Sequence, residues 1–151
     1  MVRRILKTLL VIAIINAVAA AIGRAVSQAK STGGSASSEF QRFVMFGGEE
    51  FESSAIALRS GAATVRAGGA VIDLRGAGLD PEGAALDLDV AGGGALVLVP
   101  DTWRVTVDDT SSMGGVETDV TPEDALPDGA PHLTVRAAAR GGGISITTKR
   151  R

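Results

Sequence analysis

From about residue 47 to residue 148 the chain alternates apolar and polar residues with a period of two, in segments that pivot on glycine pairs. The pairs are Gly47-Gly48, Gly68-Gly69, Gly93-Gly94, Gly114-Gly115 and Gly142-Gly143, spaced by 21, 25, 21 and 28 residues. After each pair, the first, third and fifth residues read Glu49, Phe51, Ser53; Ala70, Ile72, Leu74; Ala95, Val97, Val99; Val116, Thr118, Val120; and Ile144, Ile146, Thr148. Most are apolar, as one buried face of a strand requires. Odd steps back from four of the pairs give Ala63, Val65, Ala67; Leu86, Leu88, Val90; Trp103, Val105, Val107; and Leu133, Val135, Ala137. Polar residues such as Thr64, Arg66, Asp87, Asp89, Arg104, Thr106, Thr134 and Arg136 fall between them.

The pattern predicts a strand on each side of every glycine corner and five copies of one corner-and-strand unit. A unit of this size is too small to bury its own apolar face, so neighbouring copies must stack. The expected fold is mainly β, a short right-handed β-solenoid-like domain over residues 39–151. The glycines have the structural role of a tight corner, through positive φ or close backbone approach. Trp103, inward after the Pro100-Asp101-Thr102 turn, is expected to plug the core. Loops are expected at residues 76–83, 100–102 and 121–131, the last accounting for the longest spacing.

Two residues break the outward polar rule. Leu96 and Leu98 stand where other copies carry Glu50 and Glu52, Glu117 and Asp119, or Ser145 and Thr147, and Val71 lies one copy away. Either a loop covers them, or Val71, Leu96 and Leu98 form an exposed apolar stripe that binds a partner or a second copy of the chain.

The N-terminus reads differently. Residues 5–23 form an apolar run of 19 residues, roughly 28 Å as a helix, long enough to cross the hydrocarbon core of a bilayer. Three basic residues, Arg3, Arg4 and Lys7, lie at its start, and the positive-inside rule then puts the N-terminus in the cytoplasm and the β domain outside. Residues 1–26 are read as a single-pass membrane anchor helix and residues 27–38, rich in Ser and Gly, as a flexible linker. The order basic, apolar, small is also that of a cleaved signal peptide, with Ser27-Gln28-Ala29 as a small-x-small site. The uncleaved anchor is the preferred reading.

Charge divides at the same place. Residues 1–38 carry +5 and residues 39–151 carry −7, within a net charge of −2. An acidic domain of this kind is a poor nucleic-acid binder. With no cysteine in the chain, disulfides, thiolate zinc sites and thiol catalysis are excluded. Twenty glycines, four Phe, one Trp and no Tyr call for a thin core of Val, Leu, Ile and Ala.

The runs Phe46-Gly47-Gly48, Gly68-Gly69-Ala70-Val71-Ile72 and Val99-Pro100-Asp101-Thr102-Trp103-Arg104-Val105, continued by Met113-Gly114-Gly115-Val116, carry a family resemblance. Over about residues 43–147 the chain resembles the C-terminal domain of LiaF-like proteins, the cell-wall-active antibiotic response family. The resemblance implies a β-solenoid-like domain on a membrane protein of the envelope-stress response, acting by contact with a membrane sensor. It departs from the family pattern in keeping Phe only in the first copy, and in having one N-terminal membrane helix where members often have several.

Candidate chemistry is sparse. Arg66, the Asp87/Asp89 pair and Arg104 sit outward on successive copies, and read as a plus-minus-plus ladder of ion pairs, or as an anion site at Arg66 and Arg104. Asp101, Asp108, Asp109, Asp119, Glu123 and Asp124 match no calcium-loop spacing and read as turn residues. His132, the single histidine, lacks a Ser or Cys elbow nearby, so no catalytic triad or metal cluster is expected. No Lys-Ser/Thr follows a glycine corner, so no nucleotide loop and no cofactor are expected. The sequence thus predicts a membrane-anchored, non-enzymatic interaction module. Its expected partners are the lipid bilayer through residues 5–23, and a membrane sensor protein or a second copy of itself. A structural or adhesive surface domain is the alternative.

Overall fold

The computed structural model describes residues 2–148, with side chains from residue 12 onward. The basic tip at 149–151 and the side chains of residues 5–11 lie outside the described residues. One helix, α1 (Val2–Lys30), precedes seven strands: β1 (Glu39–Met45), β2 (Gly48–Glu52), β3 (Ser60–Asp73), β4 (Ala84–Leu98), β5 (Arg104–Asp109), β6 (Met113–Asp119) and β7 (His132–Thr147). The protein is mainly β, and every pairing between these strands is parallel, in one sheet that is not closed.

Each copy folds over at its glycine corner. Phe40 of β1 and Phe51 of β2, on opposite sides of the first corner, have ring centroids 4.6 Å apart. Closer to the corner, the Arg42 guanidinium lies 3.7 Å from the Glu49 carboxylate. The two arms of a copy therefore lie face to face, as an arch with the corner at its apex. Alternate side chains meet inside it. Leu86, Leu88, Val90, Ala95 and Val97 along β4, and their register partners on β3 and β7, are buried, with Val99 and Trp103 beyond the strand's end among them.

The corner depends on glycine because the copies touch there. A Cβ on Gly68 would overlap the carbonyl oxygen of Gly47, one on Gly93 that of Gly68, one on Gly142 that of Gly93, and one on Gly114 that of Gly142. The first glycine of each pair thus forms a ladder of backbone against backbone. Positive φ falls mostly one residue earlier, at Phe46, Ala67, Gly92 and Gly141. Ala67 was expected to point inward, but is exposed at the bend because its backbone has already turned into the left-handed region.

Copies do not stack in chain order. Across the sheet the order is β1-β3-β4-β7-β5, with β2 extending the edge beside β3 and β6 the edge beside β7. The last copy, β7, lies between the third and fourth, and the long segment 120–131 carries the chain back to place it there. Continuity explains this. β3, β4 and β7 run unbroken through their corners for 14, 15 and 16 residues and take the centre. The first and fourth copies are interrupted at residues 46–47 and 110–112, carry polar inward residues (Arg42, Glu49, Asp109, Thr118), and take the two edges. Val105, Val107 and Val116 on the far edge are only partly buried.

The expected ion ladder changes with that order. Arg66 pairs with Asp89 at 2.7 Å, but β7 separates Arg104 from the aspartates. Arg140 and Arg136 of β7 take its place, at 2.6 Å from Asp89 and 2.7 Å from Asp87. Arg104 pairs instead with Glu123 at 3.2 Å. The Asp89 carboxyl is held below the usual aspartate range by its hydrogen bond from Arg66, and further by that from Arg140.

The stretch 27–38, expected as a flexible linker, is tied to the sheet. The helix continues to Lys30, and three donors on the open edge of β1 are satisfied there. Gln41 N–H donates to the Thr32 carbonyl, Phe43 N–H to Ser31 Oγ and Met45 N–H to Ser27 Oγ, at 2.9, 3.1 and 3.1 Å. The Ser35 carbonyl then accepts from Ser54 N–H and the Ser38 carbonyl from Arg59 N–H. Unpaired edge donors are a liability, and this end of the helix covers them.

Two outcomes check this account. Gly93→Ala places a Cβ against a backbone carbonyl at φ +147 and is expected to cost about 3 kcal/mol or more, whereas Gly69→Ala, with nothing within 4 Å of its Cβ, should change stability by less than about 0.5 kcal/mol, both read by chemical denaturation. Because the folded state depresses the Asp89 pKa, its contribution is present at neutral pH and is lost as pH falls below about 4 and through the folded-state value. Asp89→Asn should therefore destabilise the protein at pH 7, with a penalty that shrinks in denaturation curves taken toward pH 3.

Candidate interaction surface

The parallel register aligns the second arms of all five copies into rows that cross the sheet. The second glycines make one row, Gly48, Gly69, Gly94, Gly143 and Gly115. Two residues on, the outward row reads Glu50, Val71, Leu96, Ser145 and Glu117. With no side chains, the glycine row is low, and the outward row stands beside it as a wall. Together they form a groove of about 900 Å³ running perpendicular to the strands through every copy. Ala70, Ala95 and Ile144 lie between the rows and contribute to its apolar lining.

Val71 and Leu96 are direct register partners at the middle of the wall, and both are half-buried. Leu98, expected to extend the stripe, does not. It is the last residue of β4 and only 2 % exposed. Its register partner Thr147 is itself buried, so the middle of this third row, where the strands end, is closed over, while Glu52 and Asp119 at its ends are exposed. The accessible stripe is therefore Val71 and Leu96, with carboxylates at both ends of their row. Burial at strand ends depends on how the loops return, which period-two counting does not see.

The other sequence-level candidates are scattered. Trp103 is 3 % exposed in the core, as expected. Arg66 and Arg104 lie on strands with β4 and β7 between them, each with a carboxylate partner, and do not converge as an anion site. The His132 ring lies 2.8 Å from Thr106 Oγ1 on the exposed side of the first arms. Among the described residues no three His, Asp or Glu side chains come together in a way that could hold a metal ion.

The helix presents a second apolar surface. Ile12, Ile14, Ile15, Val18 and Ile22 are each at least half exposed, so this face is not spent on the core. The segment Ile12–Lys30, 19 residues of mean hydropathy 1.5, is long and apolar enough to cross a membrane. What sequence reasoning missed is the α1–β1 seam. Its signal was present in Ser27 and Ser31, one helical turn apart, which the small-polar composition led us to read as linker.

Among solved structures, the fold is similar to that of a protein from Clostridium sporogenes described as a candidate cell-adhesion protein. The two superpose with a TM-score of 0.53 at 20 % identity, over 74 % of this chain and 55 % of that one. At that identity the likeness is one of fold, and this chain spans little more than half of that protein's length. No protein-family model matches the chain. No curated protein matches it either. The LiaF-like resemblance accordingly rests on its short motifs.

Proposed function

We propose that this chain is a membrane-anchored, non-enzymatic interaction module. In this reading it is a short solenoid-like stack of arches that uses its glycine-floored groove to bind protein, with a second copy of the chain as the favoured partner. The observation that carries the reading is the groove itself. It crosses all five copies, and its wall is apolar in the middle and acidic at both ends, a layout of apolar centre and polar rim that suits a protein interface. Support for an adhesive role comes from the description of the structural neighbour as a candidate cell-adhesion protein.

The anchor is α1, with the N-terminus in the cytoplasm and the β domain outside the cell membrane, on the distribution of Arg3, Arg4 and Lys7. A second reading, regulation of an envelope-stress response by contact with a membrane sensor kinase, is supported by the Phe-Gly-Gly and Val-Pro-x-x-Trp-x-Val motifs alone.

Cross-linking of the full chain in membranes, followed by purification, tests the reading. Homomeric ladders are expected, and Leu96→Asp should weaken self-association at least about tenfold while the circular dichroism and melting curve stay close to those of the parent. A stoichiometric histidine kinase captured by the parent and lost from Leu96→Asp would favour the regulatory reading instead. If Leu96→Asp folds and changes neither, the groove has no binding role.

A further inference from the structure

The path of α1 along the sheet orients the whole domain. Thr32 pairs with Gln41, Ser31 with Phe43 and Ser27 with Met45, while Gly23 lies so close to the Met45 carbonyl and Phe46 Cβ that a side chain there would overlap them. Going down the helix numbers thus means going up the β1 numbers, and the helix runs antiparallel to β1. At Gly23 it has reached the glycine corner. The remaining residues, 2–22, extend past the apex of the arches by roughly 32 Å, close to the thickness of the hydrocarbon core.

The apex is unlike the rest of the domain. Its outermost residues are Phe46, Ala67, Gly92 and Gly141, each just after the paired residues Met45, Arg66, Ala91 and Arg140, with Met113, itself paired to Arg140, at the far edge; the row is about 19 Å from end to end at the spacing of parallel strands. Phe46 at one end is 54 % exposed and Met113 at the other 72 %. Within two residues of any member of this row the chain has no Asp or Glu, although it holds 17 in all, and two arginines, Arg66 and Arg140. The acids concentrate instead toward the opposite, loop-bearing end, at Asp73, Asp80, Glu82, Asp101, Asp119 and Glu123.

We infer that this apical rim is a second membrane contact, seated in the headgroup layer of the bilayer that α1 enters. Phe46 and Met113 dip into the interface at the two ends of the rim, and between them Arg66 and Arg140, which share the Asp89 carboxylate, leave one net positive charge beside anionic headgroups. The helix end is hydrogen-bonded along β1, so the domain does not swing freely on a tether. It stands on the membrane with its strands steeply inclined to the surface and its acidic loops directed away. In this posture the groove across the second arms lies side-on, open to a neighbouring copy in the same membrane. The inference rests on the anchor reading above.

The native chain has no cysteine, so single-cysteine variants carry a polarity-sensitive nitrobenzoxadiazole label at one site each. The full chain is reconstituted in phosphatidylethanolamine–phosphatidylglycerol vesicles, with and without nitroxide-labelled lipids. Labels at Phe46→Cys and Met113→Cys should blue-shift and be quenched at least about twofold more by shallow than by deep nitroxides. A label at Ile14→Cys should be quenched by deep ones. A label at Ile56→Cys, which is 94 % exposed at the loop end, should remain aqueous. Lipid quenching at Ile14→Cys with aqueous, or buried but unquenched, labels at 46 and 113 overturns the rim contact and leaves the anchor standing. An aqueous label at Ile14→Cys overturns both.

Discussion

The fold depends on the approach of one backbone to the next at the glycine corners. Where Gly68, Gly93, Gly142 and Gly114 each sit over the carbonyl of a neighbouring glycine, no side chain fits, and the corners of the copies line up there. Register is fixed by the arms, because a one-residue slip would turn each strand's apolar set outward. Aligned corners align the arms, and aligned arms bring Val, Leu, Ile and Ala from both sides into one thin core. The same alignment produces the surface groove, because a column of residues without side chains is at once a tight internal seam and an external trench.

Edges explain what the ladder leaves open. A parallel stack has two ends, and this protein treats them differently. At β1 the end of α1 supplies Ser27, Ser31 and Thr32 as partners for the strand's outward N–H groups, so the same helix that carries the apolar segment also covers the sheet edge. Inside this first arch Arg42 and Glu49 meet each other, and the guanidinium also lies 3.9 Å from the Phe51 ring. Burying those charges in the middle of the stack would be costly, whereas at the end copy they remain partly hydrated. The far edge, β5 and β6, is more exposed and has no such cover among the described residues. Anchor, cover and open edge on one small domain give it a direction. That direction links the groove, the apical rim and the acidic loop end in the proposed account of its function.

Much of the architecture was legible before any coordinates. The glycine spacing identified the corners, and period-two alternation identified the buried face of β3, β4 and β7, and the inward Trp103 just before β5. The candidate site was half legible. Val71 and Leu96 meet in register on an accessible row, while Leu98 has the same parity and lies closed over. Parity is a property of a strand, but burial at its end belongs to whatever packs there. The ion pairs show the same division. The alternating signs of Arg66 and Asp89 were read correctly as a pair, while Arg104 lost its expected partner when another strand came between.

What the sequence determined by itself is local in origin: where the chain must bend, which side chains must be dry, and that the apolar run 5–23 is set apart in composition from an acidic β region. These follow from steric freedom at glycine, from the two-residue repeat of a strand and from hydropathy, none of which needs a neighbour. The order of the copies, the docking of α1 along β1 and the closing over of Leu98 were decided only in three dimensions. The copies compete for the same places in the stack. The unbroken strands with wholly apolar inward faces fill the centre, and the interrupted ones, with charges to keep wet, are left at the edges.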